Sequence, residues 1–186
     1  WRDVPSAELP VKNGATFPNQ ALYDALPVSS AGHWIGPISI NEAHITLLAF
    51  SATAPVFDGP EDFNGLRNRD ELRLCEAVLD GKIGPVPTHP ILIGNANADP
   101  FDGEGLRDGI VGVLARTDLT DPMPRSVGTV GEADASHLGD PALDTADWSD
   151  DGPGNLRVSY ILPSTDLRVI ESGMFWPVSD DPFAAM

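Results

Sequence analysis

Basic residues and cysteine are what this chain has least of. Its 186 residues carry 11 Lys and Arg against 28 Asp and Glu, a formal net charge of −17. A surface that acidic repels a phosphate backbone, which argues against unassisted binding of nucleic acid. The one cysteine, Cys75, excludes an internal disulfide framework and a cysteine-based zinc site. It falls within a predicted helix and reads as a small core residue rather than a nucleophile. No apolar run approaches the roughly 18 residues that a membrane helix needs, which excludes a membrane span. A signal-peptide pattern is also lacking, and the chain opens on Trp1 rather than Met, so the expectation is that residues ahead of it have been removed or left out. What remains is a length suited to one domain, with a hydrophobic fraction of 41% that can fill a core.

Residues 1–37 are rich in Pro and Gly and read as extended segments and turns, with a short helix around Gln20 to Ala25. Ala43 to Phe50 (AHITLLAF) is an apolar run of strand length. A loop full of turn residues follows, TAPVFDGPEDFNGLRN. Asn68 is expected to cap a helix through NRDELRLCEAVLDG, with Leu72, Cys75 and Leu79 on one stripe and Asp70 and Glu71 in its first turn. Pro90 to Gly94 (PILIG) reads as a short strand, Leu106 to Arg116 as a second helix, and residues 117–154 as loop. Two closing strands are expected at Leu156 to Leu162 and Leu167 to Glu171. The acidic charge is concentrated in the loop-rich region 99–151, with thirteen Asp and Glu against three Arg. Strands alternating with helices point to an α/β or α+β fold.

The segment Ile91-Leu-Ile-Gly-Asn-Ala-Asn-Ala-Asp-Pro100 places polar groups where a buried strand ends, which is a rigid platform for a reacting group. Read alone, the segment favours a simple Asn/Asp turn whose side chains satisfy local backbone.

This segment, PILIGNANADPFDG, resembles the G-D-x-N-A-D-P segment of the endonuclease/exonuclease/phosphatase superfamily, the deoxyribonuclease-I-like fold. WRDVP, SAGHW, PVFDGPEDFNGLRN, DTADW, GPGNLRVSYILPS and SGMFWP are similar, in the same order, to one bacterial branch of it. The resemblance implies half of a four-layer α/β sandwich, residues 1–186 corresponding to the carboxy-terminal half of the domain. It also implies phosphate-ester hydrolysis with Mg²⁺ or Mn²⁺. That chemistry calls for an acid that holds metal or activates water, an Asn and two His on the phosphoryl oxygens, and carboxylates that orient those His.

Against that pattern the chain departs repeatedly. The family's Asp in G-D-x-N is Asn95, and an amide cannot take a proton from water near neutral pH. The family's Asn is kept as Asn97. Ser51 stands where a phosphate-binding His is expected. Ser159, in Arg157-Val-Ser-Tyr160, replaces the Asp that orients a terminal His, and the closing segment from Trp176 to Met186 contains no such His. The glutamate that holds the metal belongs to the amino-terminal half. The expected reading is a catalytically degenerate phosphoesterase-fold protein acting as a structural or interaction subunit. Its open, apolar sheet face would be covered by the amino-terminal half or by another protein. The alternative is a fragment of a working Mg²⁺- or Mn²⁺-dependent phosphodiesterase, phosphatase or nuclease that uses Asn95, Asn97 and Asp99 with ligands from the other half. The acidic charge and the bacterial character of the resemblance favour an exported protein, periplasmic or extracellular.

The remaining candidates are weaker. Asp99, Asp102 and Glu104 in DPFDGEG, and Asp144, Asp147, Asp150 and Asp151 near Trp148, are solvated acidic loops or Ca²⁺ sites, and the first lacks hand-type spacing. His33, His44, His89 and His137 lack metal-ligand spacing and read as solvated or hydrogen-bonded. Trp34, Trp148, Phe175 and Trp176 read as core or sheet-flanking aromatics rather than a platform for bases.

Overall fold

Alternation along one strand organises the structure. In β4 (Ala43–Ser51), Thr46, Leu48 and Phe50 are buried while their neighbours are less so, as a strand covered on one face requires. The computed structural model describes residues 1, 4 and 7–184. Arg2, Asp3 and Pro5 of the WRDVP block lie outside the described residues, as do Ala185 and Met186. The main sheet has the order β3-β4-β5-β6, formed by Gly32–Ile40, Ala43–Ser51, Pro90–Asn95 and Ser159–Pro163. β4 and β5 are parallel, and the two outer pairs are antiparallel. A two-stranded hairpin, β1 (Val11–Lys12) with β2 (Ala15–Thr16), and α1 (Gln20–Ala25) precede the sheet. The result is the expected mixed α/β architecture.

The connection between the parallel strands carries α2 (Phe63–Leu79), which packs with α3 (Asp108–Leu114). The core joins Leu72, Cys75 and Val78 of α2 to Leu48, Phe50 and Leu92 of the sheet. Cys75 is buried there, and burial pushes its thiol well above the ordinary range, which leaves it inert.

Helix α2 differs from expectation. It begins at Phe63, behind an Asp62 N-cap in the left-handed region, so Asn68 lies inside the helix and caps nothing. Asn68, Asp70 and Glu71 are fully buried in its middle, not in a solvated first turn. Asp70 accepts hydrogen bonds from Trp1 Nε1 at 2.7 Å and from the Glu8 amide at 3.1 Å. Burial nevertheless pushes its carboxyl up, against the pull of Trp1, Arg69 and Arg73. Glu71 accepts from Ser30 N (2.6 Å), Ser30 Oγ (2.7 Å) and Thr53 N (2.5 Å). These acids are retained in the interior because donors from three other segments converge on them.

Other boundaries shift. The extended reading of the first 37 residues resolves into edge strand β3, which accommodates Pro37 because an edge position has a free side. The second helix is shorter than residues 106–116, and β6 starts at Ser159, with Leu156 making only an isolated bridge to Ala146. No strand forms at Leu167 to Glu171. That segment instead leads to Gly173 and Met174, which lie beside Ile93 and Ile161 around a cleft of about 390 Å³. Within 117–154 the chain forms a short helix α4 (Gly128–Gly131) and one 3₁₀ turn, Pro141–Leu143. Trp34, Trp148 and Phe175 are exposed rather than in the core.

The sheet face turned away from α2 is apolar. Register places Trp34, Ile38, Ile45, Leu47, Ile93 and Ile161 on it, and Trp34 and Ile161 are more than half exposed. No helix of the described residues is long and apolar enough to cross a membrane.

Candidate functional site at the strand ends

The register of the sheet brings three of the four singled-out residues into one row. Ser51 pairs with Asn95 across the parallel β4–β5 ladder, and Asn95 pairs with Ser159 across β5–β6. All three lie at the same end of the sheet and on the apolar, open face. Asn97, two residues beyond β5, completes the group from a left-handed backbone at φ 48°, a conformation Asn tolerates better than most residues.

Two interior side chains hold the loops that leave these strands. Asn68 Nδ2 donates to the carbonyls of Thr53 and Ala96, both at 2.7 Å, while Glu71 takes the Thr53 amide. The ladder itself runs past the strand ends: Ala52 N donates to Asn95 O at 2.9 Å and Ala96 N to Val158 O at 2.7 Å. On the far side, Thr145 Oγ1 accepts from the amides of Val158 and Ser159 at 2.9 and 3.0 Å. The row is therefore built on a rigid frame. Asn68, Glu71 and Thr145 have no sequence signal for this role, because only the tertiary fold brings them to the row.

The two amides engage each other. Asn95 Nδ2 donates to Asn97 Oδ1 at 3.1 Å, Asn97 N donates to Asn95 Oδ1 at 3.0 Å, and Asn97 Nδ2 donates to Ala52 O at 2.8 Å. Next to them Asp99 is buried and saturated by backbone. Oδ1 accepts from the amides of Phe101 and Asp102 at 2.7 and 2.9 Å, and Oδ2 from Arg157 N at 2.8 Å. Asp102 accepts from the amides of Leu138 and Gly139. These two carboxylates order the loop after β5.

Arg157 reaches away from the row, making paired bonds to Asp121 at 2.8 and 2.7 Å and lying 4.7 Å from the Tyr160 ring centroid. Burial would raise the Asp121 carboxyl, but the Arg157 guanidinium and the Met123 amide hold it below its ordinary value. Asp144 is buried and does not group with the exposed Asp147, Asp150 and Asp151. Burial, reinforced by Asp99, Asp102 and Asp134 and opposed by His137, pushes its carboxyl up to about 6. The histidines lie elsewhere. His33 packs on Phe50, its Nε2 on the Glu71 carbonyl, and burial lowers its pKa, while His44 pairs with Ser39 and His89 with Asp166.

The model of the endonuclease/exonuclease/phosphatase family matches residues 11–181. The chain belongs to this family. Among curated proteins none matches it. The endonuclease/exonuclease/phosphatase family match gives the chain a phosphoesterase fold. Mg²⁺ and Mn²⁺, which the resemblance implies, are held chiefly through carboxylates. The row and Asn97 together offer two hydroxyls and two amides, with no charge. Among the described residues no group of three or more His, Cys, Asp or Glu is gathered to hold an ion. The residues present do not by themselves fit such a metal.

Proposed function

We propose that this family member has kept the phosphoesterase fold, lost hydrolysis, and serves as a structural or interaction subunit. The observation that carries this reading is the neutrality of the row Ser51–Asn95–Ser159. Hydrolysis of a phosphate ester needs a base or a metal-bound water and positive groups on the phosphoryl oxygens. Two serines and an asparagine can orient a water but cannot take its proton near neutral pH. General-base help is worth about 10²–10⁴ in rate, and Asn95 stands where the resemblance puts the acid that would supply it.

The interaction half of the reading rests on the open sheet face. An apolar face with Trp34 and Ile161 more than half exposed is a surface that proteins cover, and a second β-sheet packed face to face is the occupant its shape suits. Native mass spectrometry of the protein purified from its source tests this directly. A stoichiometric complex whose formation is lost in Ile161→Asp supports the reading, and a free chain at its own mass of 19.7 kDa contradicts it. Hydrolysis of a chromogenic phosphodiester tests the catalytic half separately.

A further inference from the structure

The loops that leave β4 and β5 and the segment that enters β6 enclose a cavity of about 360 Å³ beside Asn97, which is within the range of small-molecule sites. Its walls are Pro55, Phe57, Trp148, Leu156 and Val158. Among the described residues no Lys, Arg or His lines it. Of its three carboxylates, Asp99 and Asp102 have their oxygens taken by backbone amides, which leaves Glu104 exposed at the edge. The charged groups of its lining are all acidic, so a phosphate or other anion would meet negative charge with no cation to balance it.

Two details separate this cavity from an ordinary gap between loops. Phe57 is 96% exposed and held at φ 66°, a backbone region that is an outlier for a bulky side chain. A ring this exposed buries little apolar surface against the fold, and such strain gathers where ligands bind. Trp148 is also part exposed, and its indole N–H meets no acceptor among the described residues. Two aromatic rings with an unused donor, in a setting that rejects anions, define the chemistry that fits.

We propose that this cavity is a binding site for an uncharged aromatic small molecule, stacked against Phe57 and Trp148. The site stands apart from the proposed loss of hydrolysis, because the ligand undergoes no reaction. It also stands apart from the partner on the sheet face, since Phe57 and Trp148 belong to the loops beyond the strands.

The probe is N-phenyl-1-naphthylamine, a neutral dye whose emission rises in a dry apolar site, titrated into the intact protein. Saturable one-site binding is expected. Phe57→Ala and Trp148→Ala should each weaken it about tenfold, the loss of a modest contact. Ile170→Ser, an exposed apolar position elsewhere, should leave it unchanged. The anionic analogue 8-anilinonaphthalene-1-sulfonate should bind at least about tenfold less tightly. Circular dichroism confirms that each variant is folded. The proposal is overturned by non-saturating uptake, by equal affinity for the anion, or by loss in Ile161→Ser with retention in Trp148→Ala, which would place the dye on the open sheet face.

Discussion

Asn95 and Asn97 are hydrogen bonded to each other twice, at 3.1 and 3.0 Å, and the same Asn97 amide donates to the carbonyl of Ala52. This closed arrangement explains why an amide at position 95 suits the present fold. Asn97 Oδ1 faces residue 95 and needs a donor there. An Asp at 95 would supply an oxygen instead.

Asn95→Asp therefore places a carboxylate oxygen against Asn97 Oδ1 in a half-buried setting. The unmade bond should cost about 1–2 kcal/mol in the absence of metal. A divalent cation between the two oxygens would relieve the repulsion. Thermal melts with chelator and with millimolar Mn²⁺ should show a metal-dependent gain for the variant and none for the parent. An equal gain in both proteins would contradict the geometry.

Glu71 ties Ser30, ahead of β3, to Thr53, beyond β4, from the middle of α2. Glu71→Ala leaves those donors without their acceptor in the interior. The loss should be about 3 kcal/mol by denaturant titration, near the upper end for a buried acceptor. It should also loosen the loop that carries Ser51 and Thr53, seen as faster amide exchange at Thr53.

Gly94 lies opposite Phe50 in the parallel ladder, and a Cβ on it would come within 1.9 Å of the Phe50 carbonyl oxygen. Backbone on both sides gives no room to yield. Gly94→Ala should cost at least about 3 kcal/mol or prevent folding. Gly173→Ala, where nothing lies within 4 Å, should be near neutral in the same melt.

Asp144 gives a pH signature. Its carboxyl is pushed up to about 6 by burial and by Asp99, so the native state holds this proton more tightly than the unfolded chain. Its contribution is complete below the unfolded value and is lost as pH rises through about 6. Asp144→Asn removes that loss. The variant should be more stable than the parent at about pH 8, by on the order of 1 kcal/mol or about 2–4 °C in Tm, with a smaller difference at about pH 5. A difference independent of pH would show that Asp144 does not titrate in this range.

The strands that meet the core were legible in the sequence because apolar runs dictate them. Ala43–Ser51 and Pro90–Asn95 follow AHITLLAF and PILIG to within a residue, and α1 follows its expected span. β3 was not legible as a strand, since Gly32, Gly36 and Pro37 weaken any periodic signal and only its edge position tolerates them. The start of α2 was hidden because Asp62 enters it from a left-handed backbone without a side-chain cap, whereas Asn68 has the residue type of a cap but is needed by Thr53 and Ala96. Buried Asp70 and Glu71 run against the rule that acids face water, and only partners far along the chain explain them. Ser51, Asn95 and Ser159 were singled out through family resemblance alone, and their meeting in one row was not legible, because cross-strand register is not written locally. The cavity between Phe57 and Trp148 joins loops some ninety residues apart and left no local trace.

The central claim is that the uncharged row does not hydrolyse phosphate esters. The most direct measurement is release of p-nitrophenol from bis(p-nitrophenyl) phosphate, with Mg²⁺ or Mn²⁺, by protein purified from its source with any partner still bound, beside its Asn97→Ala variant. The account predicts rates equal to those of metal and buffer alone for both. Turnover that rises with protein concentration and disappears in Asn97→Ala would contradict it and make this chain part of a working phosphodiesterase.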